Sequence, residues 1–115
     1  MRLFYRITAY ALSLLGVLHT VLTPLFYDRL SPDALWFAGT GLALVFLGLL
    51  NLVAERTWQA WAIHICIAAN VVACIYGILI VIALPEIQAY VAAIIFIAIV
   101  IASILAQQNV RRIER

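Results

Sequence analysis

Two histidines and two cysteines are the residues of this chain best suited to ligation or redox chemistry, and their spacing decides what they can do. His19 and His64 fall in separate apolar stretches. At 1.5 Å per helical residue, His19 lies about 9 Å to one side of the middle of its stretch and His64 a similar distance to the other, so roughly 18 Å of depth separates them. Two ligands of one metal must both lie within a few ångströms of it, so the spacing argues against a shared haem or metal site in one chain. Cys66 and Cys74 share one stretch. Eight residues along a helix place them about 12 Å apart, too far for a disulfide. They form no Cys-x-x-Cys pair and no zinc spacing, and read as small packing residues. Neither a metal nor a cofactor is expected, and no residue qualifies as catalytic.

The elements that carry these residues follow from composition. Of 115 residues, 68% are hydrophobic and 10% charged, which lies far outside the range of a soluble globular domain. No charge occurs in residues 7–27, 34–54, 58–84 or 87–110. Each stretch reaches the roughly 20 residues a helix needs to cross hydrocarbon, and unbroken apolar runs fit helices rather than barrel strands. The chain is therefore expected to be all-α: one domain, residues 1–115, of four transmembrane helices near 3–23, 32–54, 58–83 and 86–110. Arg2 and Arg6 before an apolar run resemble a signal peptide. That run is longer than a usual signal core and no small-residue cleavage site follows, so it reads as a retained first helix.

Helix boundaries have local causes. Pro24 cannot donate to Thr20, which ends or kinks the first helix near Thr23. Residues 25–30 then read as an interfacial loop. Ser31-Pro32-Asp33 is a helix start, with a hydroxyl cap, proline in the first turn and an acid behind it. Glu55-Arg56-Thr57 reads as a tight turn with Trp58 and Trp61 at headgroup level, and Leu84-Pro85-Glu86 as a second proline-then-acid start. Such short connections make successive helices antiparallel neighbours, an up-down-up-down bundle. The chain has no lysine, and Arg2, Arg6, Arg56, Arg111, Arg112 and Arg115 then share one side against Arg29 on the other. That bias predicts both termini cytoplasmic in a bacterial inner membrane or its equivalent. A net charge of +2 without a basic face gives no reason to expect nucleic acid.

Helical periodicity assigns a small or weakly polar stripe to every span: Ala9, Ser13, Gly16, Thr20 and Thr23 on the first, Ala34, Ala38, Gly41 and Gly48 with Asn51 beside them on the second, Cys66, Asn70, Cys74 and Gly77 on the third, Ala89, Phe96, Ser103 and Gln107 on the fourth. Such stripes are how helices pack in lipid, where no hydrophobic drive acts between them. Leu14, Val17, Leu18 and Val21, and Leu35, Leu42, Phe46, Leu49 and Val53, occupy the opposite arcs and should face lipid. His64 projects away from its stripe along the line of Trp58 and Trp61 and reads as an interfacial residue, with a hydrogen bond to Asn51 as the structural alternative. His19 borders the polar arc one turn before Pro24. At similar depth lie Thr23, Trp36, Thr40 and Tyr76, and these five define a candidate outward-facing pocket for a small apolar or lipid-like ligand, quinone included. The competing expectation is that His19 only satisfies a neighbouring carbonyl or hydroxyl.

The run Gly16-Val17-Leu18-His19, then Pro24, Phe26 and Ser31-Pro32, then Ala38-Gly39 to Leu47-Gly48-Leu49-Leu50, resembles DoxX-type four-helix membrane proteins, over about the first 50 residues. In that family the first helix ends in a glycine–histidine segment before a proline loop, and the second is glycine-rich. The resemblance implies a small subunit associated with membrane redox or detoxification systems. The acid many members carry in the second helix is absent, with Leu42 or Leu44 near its place. Length and span count are also similar to those of the small multidrug resistance transporters, whose first-helix glutamate has no counterpart between Thr8 and Thr23. No acid is expected in any span. The chain reads as a non-enzymatic accessory or self-associating subunit, a homo-oligomer or part of a larger membrane complex, with ligand binding near His19 as the alternative.

Overall fold

The computed structural model describes residues 1–115 as five helices: α1 (Arg2–Val21), α2 (Thr23–Phe26), α3 (Pro32–Thr57), α4 (Ala60–Ala83) and α5 (Ile87–Ile113). All but α2 are long and apolar enough to cross a membrane. Ser31 caps α3 by accepting from the Ala34 N–H at 3.2 Å. Pro24 has the effect its missing N–H requires: α1 stops at Val21, and the proline sits in the first turn of the short α2, which occupies part of the expected loop.

Two boundaries differ from expectation. Glu55, Arg56 and Thr57 form no turn but complete the last turn of α3, and the chain reverses at Trp58 and Gln59. Trp58 adopts φ 52° and ψ 36° and donates its N–H to the Ala54 carbonyl at 2.9 Å, a left-handed helix cap without glycine. Its half-buried ring packs on the core, with the Arg2 guanidinium 4.2 Å above the ring centre. At the other end Pro85 lies outside α5, whose cap is Glu86.

α1 packs against α3 and α5, and α4 against the same two, so α1 and α4 are diagonal, without close backbone approach, and meet only through side chains such as Tyr5 and Cys66. Tyr5 meets Asn51 and Thr20 approaches Ala38, so α1 and α3 run antiparallel; Asn70 on Ser103 and Gly77 on Phe96 show the same for α4 and α5. The chain ends and the Trp58 turn share one end of a bundle 56 Å long.

The α1–α3 seam is the closest. A Cβ on Gly16 would stand 2.5 Å from the Gly41 carbonyl oxygen and 2.6 Å from the Val45 nitrogen, and one on Gly48 would stand 2.8 Å from the Ser13 nitrogen. Backbone meets backbone there, as small residues permit in lipid. The hydroxyls along this seam donate to their own helix, Ser13 to Ala9 O and Thr20 to Gly16 O, and Thr20 also reaches across to Ala38 O at 3.4 Å, so no polar group is left unmet by the close approach. The large apolar residues assigned to lipid on α1 and α3, among them Leu14, Val21, Leu35, Phe46 and Val53, are exposed.

Candidate functional site

The bundle interior carries a layer of polar side chains, one from each long helix, in the half nearer the chain ends. Tyr5 of α1 donates its hydroxyl to Asn51 Oδ1 at 2.9 Å. Asn51 of α3 and Asn70 of α4 face each other amide to amide: Asn51 Nδ2 donates to Asn70 Oδ1 at 2.9 Å, and Asn70 Nδ2 returns to Asn51 Oδ1 at 2.8 Å. Asn70 Nδ2 also donates to Ser103 Oγ of α5 at 3.3 Å, and Ser103 donates onward to Val100 O. Asn51 Nδ2 further donates to Leu47 O at 2.8 Å. A side-chain amide offers two donor hydrogens and an oxygen with two lone pairs; at Asn51 all four are used. All four residues are fully buried.

Helix geometry explains why they meet. Asn51 lies three residues beyond Gly48, and Asn70 one turn beyond Cys66, so each amide continues the small stripe that faces the bundle axis. The Cys66 thiol is buried beside them, with Sγ 3.6 Å from Leu50 O. The layer contains amides and hydroxyls but no acid or imidazole. Its chemistry is mutual satisfaction: each partner removes the desolvation penalty of the other, which fixes the rotation and depth of all four helices together.

One turn nearer the chain ends, Glu55 is 1% exposed and held by Arg6 in a two-point fork, Nη2 to Oε1 at 2.8 Å and Nε to Oε2 at 3.1 Å. The expectation of an interior without acid is corrected here. α3 runs one turn further than charge and hydropathy suggest, and an arginine from the antiparallel neighbour neutralises the carboxylate that this extension buries. Removing the cation leaves a buried charge uncompensated, which is worse than having no pair at all. Arg6→Ala is therefore expected to lower the melting temperature of the detergent-solubilised protein, and Glu55→Gln added to it to recover part of the loss; a double variant no more stable than Arg6→Ala contradicts this.

Gln107 of α5 is buried too, with neither amide atom hydrogen-bonded. An unmet buried polar group costs about 1–3 kcal/mol, so Gln107→Met, of similar length, is expected to stabilise the bundle by about 1 kcal/mol or more in denaturant titration. A destabilised Gln107→Met shows instead that the amide is engaged in the native protein.

The five residues assigned to an outward pocket sit at the opposite end. His19, partly buried, stacks on Phe37 with ring centres 3.7 Å apart and 19° between planes, and Phe26 and Tyr27 complete an aromatic cluster around Phe37. Thr23 donates to the His19 carbonyl and Thr40 to the Trp36 carbonyl. Trp36 is 78% exposed, in a shallow surface hollow with Pro32 and Leu35, and Tyr76 is 57% exposed on α4, the helix diagonal to α1. Thus His19 and Thr23 are brought together, while the Trp36 and Tyr76 side chains turn to the surface. His64 is exposed on α4, and Asn51, its possible partner, is occupied by Tyr5, Leu47 and Asn70.

Of the polar layer, Asn51, Asn70 and Ser103 stood on or beside stripes readable in the sequence; Tyr5 and the Arg6–Glu55 pair did not. Their signal was the antiparallel pairing itself, which sets residues a few places inside the start of α1 opposite residues a few places before the end of α3. Comparison with protein-family models, with curated proteins and with solved structures finds no match for this chain.

Proposed function

We propose that this chain is a multi-pass membrane protein with both termini cytoplasmic, acting as a non-enzymatic accessory or self-associating subunit. The observation that carries the reading is the four-helix polar layer: the interior's hydrogen-bonding capacity at Asn51, Asn70 and Ser103 is spent on other residues of the same chain. What remains for work is the outside, a broad apolar surface that includes Leu42, Phe46, Val72, Ile94 and Ile101. Six arginines at the end with the chain termini against one at the other support the orientation. The resemblance of the first half to DoxX-type proteins favours the same kind of role, a small subunit of a membrane redox or detoxification system.

Gel filtration combined with native mass spectrometry tests the proposal. A homo-oligomer, or a defined partner that co-purifies, is the expected result. A strictly monomeric protein with no partner on pull-down overturns it. A C-terminal reporter active only in the cytoplasm tests the orientation.

A further inference from the structure

Along α5, Ile97, Ile101, Ile104, Gln108 and Arg111 advance by alternating steps of four and three residues, which places them in one line down the helix, and Arg115 follows just beyond its end. All six are exposed. The line is aliphatic for its first half and cationic at its end. There Gln108, Arg111, Arg112 and Arg115 enclose an open hollow of about 210 Å³. Glu114, exposed between Arg112 and Arg115, is the one carboxylate in this segment, and it pairs with none of these arginines, since the one ion pair in the molecule joins Arg6 to Glu55. The opposite end of the bundle is acidic, with Asp28, Asp33 and Glu86 against Arg29.

Depth fits the same division. From Ile87 to Gln107 the helix rises about 30 Å, the thickness of the hydrocarbon layer, so Arg111 to Arg115 emerge among headgroups. Guanidinium groups present paired N–H donors that match phosphate oxygens. A zwitterionic choline headgroup would bring its own cation among three arginines, whereas an anionic headgroup brings the phosphate alone.

We infer that this face of α5 binds an anionic phospholipid, its phosphate in the Arg111–Arg112–Arg115 hollow and an acyl chain along Ile104, Ile101 and Ile97. The inference rests on the membrane-spanning reading above. Each arginine near a headgroup contributes roughly fivefold in affinity, so three opposed by the single Glu114 carboxylate give about a twenty-five-fold preference.

Native mass spectrometry of the full chain released from nanodiscs of equal phosphatidylglycerol and phosphatidylcholine tests this. Expected is strong preferential retention of phosphatidylglycerol, lost in Arg111→Gln/Arg112→Gln/Arg115→Gln and reduced about fivefold in Arg111→Gln alone. Arg2→Gln/Arg56→Gln, which removes charge from the same end, should keep most of the preference. Equal retention of both lipids overturns the site. So does a preference that survives the triple substitution, or one lost equally in the Arg2/Arg56 pair, which would mean diffuse charge. Displacement of the lipid by millimolar glycerol phosphate would make it a site for soluble phosphate esters and also overturns it. A chain that fails to enter nanodiscs overturns the membrane reading itself, a different outcome from insertion without lipid preference.

Discussion

Replacing Gly41 with leucine is expected to force α1 away from α3 and destroy the folded bundle. A Cβ at Gly41 would lie 2.7 Å from the Thr20 nitrogen and 2.8 Å from the Gly16 carbonyl oxygen, besides striking the Thr20 hydroxyl. Two of these obstacles are backbone, so no side-chain rotation relieves them; the helices must separate. Separation also opens the reciprocal contact at Gly16, since its neighbours are the Gly41 oxygen and the Val45 nitrogen. Overpacking commonly costs about 1–3 kcal/mol, and a branched side chain against fixed backbone belongs at or above the top of that range. Gly39 provides the control: it is exposed and a Cβ there meets nothing within 4 Å. Gly39→Ala should therefore be neutral or stabilising by up to about 1 kcal/mol, from helix propensity alone. Thermal unfolding followed by circular dichroism in one detergent compares them. Equal stability of Gly41→Leu and Gly39→Ala would mean that the seam is not closed in the protein.

Asn51→Leu is expected to produce the second-largest loss, for the opposite reason: it removes partners instead of adding bulk. Tyr5 loses its acceptor, and Asn70 loses both its donor and one of its acceptors. Interhelical hydrogen bonds in membrane proteins average about 0.6 kcal/mol with a maximum near 1.7. Groups left buried and unmet cost more, about 1–3 kcal/mol each. With three interhelical bonds broken, besides the one Asn51 makes to Leu47 O of its own helix, a loss of about 2–4 kcal/mol follows. Tyr5→Phe breaks only one bond, and Asn51 Oδ1 keeps Asn70 as donor, so its loss should stay below about 1 kcal/mol. The diagnostic is the double variant Asn51→Leu/Asn70→Leu. It removes both amides together and should be less destabilising than the two single losses added, with a coupling of about 1 kcal/mol or more. Denaturant titration of the four proteins measures this cycle, and strict additivity contradicts the amide pair.

Much of this arrangement was readable one residue at a time. The charge-free runs, the break at Pro24 and the Ser31 cap depend on neighbours a few positions away, and the helices start and stop there with small shifts. Periodicity placed Gly41, Gly48, Asn70 and Ser103 on packed faces because a helix has one repeat, and lipid-facing positions tolerate only apolar residues. What periodicity reports is which side of a helix is small or polar. It is silent on which helix that side meets, and at what depth.

The tertiary structure decided those points. Glu55 looked like a turn residue because a lone carboxylate is unwelcome in an apolar span; only Arg6, 49 positions away, makes its burial tolerable. Tyr5 has no local pattern in the sequence that marks it, and only antiparallel packing sets its hydroxyl against Asn51. Trp36 and Tyr76 matched His19 in depth, but depth is one coordinate of three, and their side chains point outward. The four long apolar helices, their boundaries and the charge asymmetry between their ends belong to the sequence, since each depends on local hydropathy, capping and proline chemistry. The polar layer and the buried ion pair belong to the fold, since each interaction joins groups that only the packing of separate helices brings within 3 Å or so of one another.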